Sequence, residues 1–192
     1  MKRARVLVAC EFSGVVRDAF IARGHDAVSC DLLPSDRPGP HIQADVSSVL
    51  RVPWDMVIAH PPCTRLALSG VRWLRERDLW SDLDQAAAFF RLCLSANAPR
   101  VCVENPIPHR YAVSRIGAQY DQIIQPWMFG HGEQKSTCLW LKGLPLLKPS
   151  DVVPGRSQRL HRLPPGPDRW RLRSTTYQGI ADAMAAQWGD LL

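Results

Sequence analysis

No apolar run in this 192-residue chain approaches the roughly 20 residues a membrane-spanning helix requires, and no segment repeats another. The basic start Met1-Lys2-Arg3-Ala4-Arg5 leads into a short apolar run with no small-residue cleavage site, so a soluble, cytoplasmic protein with no membrane partner is expected. The six cysteines, at 10, 30, 63, 93, 102 and 138, form no CxxC and no paired Cys/His spacing of the zinc-site kind. His109 near Cys102 and His25 near Cys30 are too sparse for a ligand set, and no metal is expected. Cysteines dispersed through apolar segments argue for reduced thiols and against a disulfide framework. A GxGxxG fingerprint is also missing, which disfavours NAD or FAD.

What the chain does have is enough apolar content, 46% of residues, to bury one substantial core, so residues 1–192 are expected to form a single domain. The net charge of +6 is unevenly placed. Arg65, Arg72, Arg75 and Arg77 follow Cys63, while Arg156, Arg159, Arg162, Arg169, Arg171 and Arg173 crowd a proline-rich stretch. Arginine-rich segments interleaved with Trp73, Trp80 and Trp170 suit a polyanion whose bases can stack, so nucleic acid is the expected partner.

Residues 4–10 read as a strand, followed by the turn Ser13-Gly14 and a helix with Val16, Ala19 and Phe20 on one face, ending at Gly24. Further strands are expected at 26–32, 41–45, 55–60 and 100–104, with two more at 122–129 and 137–141. Ser81-x-x-Asp84 reads as a capping box opening a helix that carries Leu83, Ala86, Ala87, Phe90 and Leu94. A last helix carries Ile180, Met184, Trp188 and Leu191. Strands alternating with helices imply an α/β fold with a doubly wound, mostly parallel sheet. Residues 148–170, rich in Pro, Arg and Gly, read as an excursion from it.

The strand Asp55 to His60 runs directly into Pro61-Pro62-Cys63. The prolines stop the strand and present Cys63 at its carboxyl end, where open α/β sheets bind ligands. A stiffly held thiol there suits a nucleophile, although free cysteine is also a common small core residue. His60 is expected to be only a strand-end residue. Cys10-Glu11-Phe12-Ser13-Gly14 forms the first turn, where backbone amides meet a ligand. Asp31 and Asp45, at the next strand ends, are placed to accept hydrogen bonds from a ribose and an exocyclic amine, or simply to cap the turns that follow them. Glu104-Asn105-Pro106 closes the fifth strand on the edge that carries Cys63. A carboxylate leaving an apolar strand is partly desolvated, which favours its protonated form and suits it to donate to a substrate ring, unless the tripeptide is only a turn or cap.

The order of Phe12-Ser13-Gly14, Pro61-Pro62-Cys63, Glu104-Asn105-Pro106 and a closing segment from Thr175 to Ala185 resembles the DNA cytosine carbon-5 methyltransferases, especially their short phage and prophage forms. The resemblance implies a Rossmann-like methyltransferase fold, S-adenosylmethionine as cofactor and DNA as partner. It implies that Cys63 adds to carbon 6 of a flipped-out cytosine while Glu104 contacts ring nitrogen 3 and the amino group, so that carbon 5 takes the methyl. Phe12 carries over as the adenosine-stacking ring, with Ser13, Gly14, Asp31, Asp45 and Pro61 beside it in the cofactor site. Asn105, Lys135, Arg65 and Arg72 are expected on the substrate side. Residues 64–80 correspond to a mobile catalytic loop.

The chain departs from that pattern in three places. Glu133-Gln134-Lys135-Ser136-Thr137 stands where the family carries Gln-x-Arg-x-Arg, and a lysine is a point charge where an arginine is a planar fork. Arg173-Ser174 stands where the last motif opens with Gly-Asn, which leaves open transfer of a group other than methyl. Only Leu141 to Leu172 is available for target recognition, so weak sequence specificity, or a second specificity subunit, is expected. Two other activities compete: carbon-5 modification of a free pyrimidine nucleotide, and non-catalytic DNA binding by a former methyltransferase.

Overall fold

The computed structural model describes residues 3–192, so Met1 and Lys2 lie outside it. Seven strands form one sheet: β1 (Arg5–Ala9), β2 (Asp26–Asp31), β3 (His41–Gln43), β4 (Met56–Ala59), β5 (Arg100–Pro106), β6 (Gln122–Ile124) and β7 (Thr137–Lys142), in the spatial order β3-β2-β1-β4-β5-β7-β6. Pairing is parallel from β3 through β5, and β7 runs antiparallel to both neighbours. This is the doubly wound, Rossmann-like α/β fold. Strand order reverses between β1 and β4, so a crevice opens at the carboxyl ends of these strands.

Both faces of the central strands are buried, which is why these strands read as unbroken apolar runs. On one face Val6, Val8, Met56, Ile58 and Cys102 pack against α1 (Val15–Ala22) and α7 (Gln178–Gly189). On the other, Leu7, Ala9, Val57, Val101 and Val103 pack against α3 (Trp80–Leu94) and α4 (Arg110–Ile116). Trp188 of α7 is fully buried, and its indole N–H donates to the Pro145 carbonyl at 3.1 Å. Such a side chain contributes roughly 2 to 3 kcal/mol through burial alone.

Several sequence expectations change. The helix expected from a capping box begins at Trp80 with Leu79 at its N-cap, while Ser81 accepts from Gln85 and Asp84 pairs with Arg115. Burying Leu83 against the sheet fixes the start, and the hydroxyl falls inside the first turn. Strand β6 stops at Ile124 because Gln125-Pro126 enters a 3-10 turn, proline having no N–H for the ladder. Residues 64–80 are only partly loop: α2 (Arg72–Glu76) lies within them, anchored by the buried Leu66 and Leu74. The last helix ends at Gly189, which leaves Leu191 exposed beyond it. Two short helices, α5 (Arg159–Arg162) and α6 (Arg169–Ser174), fold within the Pro/Arg-rich region.

His25, between α1 and β2, is buried with neither ring nitrogen hydrogen-bonded, packed against Phe20 and Gly189. Burial pushes its pKa below the ordinary 6.5, Asp190 raising it and Arg23 lowering it further. The folded protein therefore binds fewer protons than the unfolded chain once pH falls below that value, and stability drops with pH. His25→Leu should flatten the fall in melting temperature between about pH 7.5 and 5.5 in thermal scans, since leucine has no proton to bind.

Candidate active site

Register builds the site. Ala59 pairs with Val103 and Ala9 with Ala59, so the residues just beyond these pairs emerge together at one sheet edge. There His60 lies beside Glu104, each one step past a paired residue, and in a parallel pair such neighbours project from the same face. His60 Nδ1 donates to Glu104 Oε2 at 3.0 Å, with side-chain exposures of only 9% and 16%. Pro61 lies beside Asn105, whose buried side-chain amide donates to the Pro61 carbonyl at 2.9 Å. The Pro-Pro-Cys turn is thereby fastened to β5, and the Cys63 carbonyl accepts from the N–H groups of Leu66 and Ala67.

The next stretch of chain is tied down as well. His109 Nδ1 accepts from the Ala112 N–H at the start of α4, which leaves Nε2 as the donor to the Arg65 carbonyl at 2.9 Å. Leu68 N–H donates to Ile107 and His109 N–H to Leu66. The buried His109 is therefore a strut between the loop after Cys63 and α4.

On the β1 side, Cys10 adopts φ +58° and turns the chain sharply under α1. Glu11 is buried there and accepts from the backbone N–H groups of Val16 and Arg17 and from the Ser13 hydroxyl. The amides of α1 thus already carry a carboxylate of this chain. Gly14 caps α1 at φ +71°, and a Cβ there would strike the Arg17 guanidinium at 2.6 Å.

These elements enclose a cavity of about 110 Å³ lined by residues that include Phe12, Ser13, His60, Pro61, Cys63 and Glu104. Glu11, Asn105, Lys135, Arg173, Ser174 and Thr176 complete the polar part of the lining. Of the residues expected at the site, the cavity gathers Phe12, Ser13, Pro61, Cys63, Glu104, Asn105 and Lys135. Gly14 lies behind, in the α1 turn. Asp31 and Asp45 stay outside the lining, each with one oxygen engaged by the turn it caps, from Leu33 N–H and Ser47 N–H. Arg65 pairs with Asp82 at 3.0 Å, and Arg72 stacks on Trp73, 4.1 Å from the ring centre.

Helix α6 closes the cavity from above. Trp170 packs on Phe12 with ring centroids 5.4 Å apart and planes tilted by 55°. Arg171 also lies over Phe12 and pairs with Asp36, whose N–H donates to the Phe12 carbonyl. The arginines of this region are largely committed: Arg159 to Glu133, Arg171 to Asp36, Arg156 to the Trp127 face, and Arg173 to the cavity. A row of six phosphate contacts is therefore not what this segment presents.

Charge inside the cavity also departs from expectation. Burial pushes Glu104 toward its protonated form, but the His60 hydrogen bond and charge, with Lys135 and Thr137, outweigh burial and hold it below the ordinary carboxylate value. Glu104 is therefore a carboxylate. Cys63 is raised above the ordinary 9.0, first by burial and then by the Glu104 charge, against the opposing pull of Lys135 and Arg173. It rests as a thiol. His60, expected as a mere strand end, is what reverses the Glu104 expectation. Its signal in the sequence was its position, one residue past an apolar strand, as Glu104 is on the neighbouring strand.

Among the described residues no group of three His, Cys, Asp or Glu side chains could hold a metal ion, and no helix is long and apolar enough to cross a membrane.

No family model matches the chain, and no curated protein does. Among solved structures, the chain is similar to a protein described as a DNA modification methyltransferase encoded within an Escherichia coli prophage (18% identity, 79% of this chain and 52% of that one, TM-score 0.48). It is similar to the Entamoeba histolytica methyltransferase EhMeth (11% identity, 80% and 58%, TM-score 0.47). It is also similar to the Schizosaccharomyces pombe Dnmt2 methyltransferase (16% identity, 76% and 51%, TM-score 0.46). The chain spans little more than half the length of each.

The charge coupling between Glu104 and Cys63 is directly measurable. Glu104→Gln removes the nearby negative charge, so alkylation of Cys63 by iodoacetamide at neutral pH, followed by peptide mass spectrometry, should accelerate about threefold to tenfold.

Proposed function

We propose that this protein transfers a methyl group from S-adenosylmethionine to carbon 5 of cytosine in DNA through a covalent Cys63 adduct. The observation that carries the reading is the enclosure of Cys63 and Glu104 in one cavity at the crevice of a doubly wound sheet, a thiol beside an ionised carboxylate. That arrangement suits a pyrimidine ring that must receive sulfur at carbon 6 and a proton at nitrogen 3.

Glu104 takes the thiol proton and passes it to ring nitrogen 3 as the Cys63 sulfur bonds to carbon 6. The double-bond electrons shift toward carbon 5, which becomes nucleophilic. S-adenosylmethionine, when bound, supplies an electrophilic methyl on a sulfonium and leaves as a neutral thioether. Loss of the carbon-5 proton to solvent then restores the double bond and expels the Cys63 thiolate, while nitrogen 3 returns its proton to Glu104, which reprotonates the sulfur. The net change is one hydrogen on carbon 5 replaced by methyl, with one proton released. Lys135 and Arg173 stabilise the thiolate as it forms.

The residues present fit the cofactor on one condition. Phe12 and the polar side chains of the lining offer a stacking ring and hydrogen-bonding partners, but a cavity of about 110 Å³ is smaller than the roughly 300 Å³ at which ligand sites begin. Trp170 covers the ring that an adenine would stack on. Helix α6 must therefore lift from Phe12 for a nucleoside to enter, and the Pro164-Pro165-Gly166-Pro167 run before it supplies a boundary for that movement.

DNA is favoured as substrate by the exposed Arg72, Arg75, Arg77 and Arg110 beside the loop that follows Cys63. Arg75 and Arg110 both donate to the Tyr111 hydroxyl, and Arg72 and Arg77 both lie on Trp73. Phosphate contacts made by these exposed guanidinium groups offset part of the few kcal/mol that base flipping costs. Lys135 and Arg173 inside a small cavity favour a second reading, modification of a free pyrimidine nucleotide, whose phosphate they would meet.

Duplex DNA containing 5-fluorocytosine, incubated with the protein and S-adenosylmethionine, should give a covalent complex on denaturing gels that Cys63→Ser abolishes. An adduct with 5-fluorodeoxycytidine monophosphate but not with DNA would select the nucleotide reading, and no adduct with either would overturn the carbon-5 mechanism.

A further inference from the structure

We infer that His60 is a positioning residue for Glu104: its Nδ1–H holds Oε2 as an acceptor and so confines any proton Glu104 carries to Oε1, the oxygen left to meet the ring. The inference rests on the cytosine reading above and adds to it a group that contacts neither substrate nor cofactor.

Four observations carry it. The Ala59–Val103 register forces the two side chains onto one face of adjacent strands. The hydrogen bond is 3.0 Å long between two mostly buried groups. A carboxylate so placed would be costly without a partner, and His60 is the strongest of the groups that hold it ionised, ahead of Lys135 and Thr137. Lastly, His60 Nε2 is buried with no partner, so the imidazole is not anchored from behind and its one directed contact is Glu104. A strand-end residue with only a packing role has no need of this ring, since the preceding positions are Met56, Val57, Ile58 and Ala59.

The remaining charged and titratable groups around the pair come from every adjoining element. Cys63 stands on the loop after β4, Glu11 and Cys10 on the turn after β1, Cys102 on β5, Cys138 on β7, Lys135 before β7 and Arg173 at the end of α6. Lys135 lowers Glu104 as His60 does, but as a point charge it cannot choose between the two oxygens. Direction is what the histidine adds. With Oε2 engaged, the proton taken from Cys63 sits on Oε1 and leaves from Oε1 to nitrogen 3, without rotation of the carboxyl group.

Removing the imidazole takes away the strongest influence opposing burial at Glu104 and leaves only Lys135 and Thr137 against it. The carboxyl group then holds its proton to higher pH and cannot accept the thiol proton, so the acid limb of the rate moves toward neutrality. His60→Phe removes the donor, while His60→Asn keeps an N–H at nearly the position of Nδ1. Two measurements on the full chain decide the matter. In single-turnover adduct formation with 5-fluorocytosine duplex, His60→Phe should be slower by on the order of a hundredfold, with its acid limb displaced upward, while His60→Asn recovers most of the rate and the original profile. In a carbon-13 titration of labelled glutamate, assigned with Glu104→Gln, the Glu104 resonance should titrate higher in His60→Phe and unchanged in His60→Asn. Equal rates and equal profiles in all three proteins would overturn the role. If the unsubstituted protein forms no adduct, the cytosine reading fails, and the titration still decides: a Glu104 resonance indifferent to His60→Phe overturns the positioning.

Discussion

The pairing of β4 with β5 is the constraint on which the rest of the site depends. Because Ala59 lies opposite Val103, one further residue on each strand brings His60 to Glu104, and the next brings the Pro61 carbonyl to the Asn105 amide. A slip by one residue would send each side chain to the opposite face and break both hydrogen bonds at once. The apolar run on each strand prevents that slip, since both faces of the sheet are filled by separate clusters, α1 and α7 on one side and α3 and α4 on the other. Packing in the core thus sets angstrom-level geometry at the edge.

Electrostatics at that edge is a balance between opposed charges. Burial and then the Glu104 charge raise the Cys63 thiol, while Lys135 and Arg173 lower it, so the sulfur is protonated at rest. A resting thiol is protected from stray electrophiles, and in the mechanism we propose the carboxylate that opposes thiolate formation is neutralised by the thiol's own proton. Helix α6 adds a second level of closure through the Trp170–Phe12 contact and the Arg171–Asp36 pair. Arg171 is engaged in that pair, while Arg156, Arg159 and Arg162 stay exposed beside it and Arg72, Arg75, Arg77 and Arg110 are exposed near the loop after Cys63.

Much of the fold was legible because parallel strands buried on both faces leave continuous apolar runs, as in Val6–Ala9, Met56–Ala59 and Val101–Val103. The prolines after His60 marked the strand end for a backbone reason, and Cys63 followed from it. Helix α4 was not legible: its seven residues, Arg110 to Ile116, bury only Ala112 and Ile116, too few for a periodic signal. The Ser81-x-x-Asp84 pattern misled because burial of Leu83 and Ala87 set the helix start, overriding a local cap. Asp31 and Asp45 illustrate ambiguity that spacing alone leaves, since an acid at a strand end caps its own turn as readily as it meets a ligand. The ionisation of Glu104 was misread for a different reason: desolvation acts through sequence-visible apolar neighbours, whereas its compensation by His60 acts across strands and appears only once the register is known.

The proposal that rests on this thiol, carboxylate and cavity at the crevice of the sheet is that the carbon-5 position of cytosine is modified. Mass spectrometry of nucleosides released from DNA after incubation with the protein and S-adenosylmethionine tests it most directly. The account predicts 5-methyldeoxycytidine, absent when Cys63→Ser replaces the protein. Methylation on the exocyclic amine or on adenine, or carbon-5 product that persists in Cys63→Ser, would contradict it.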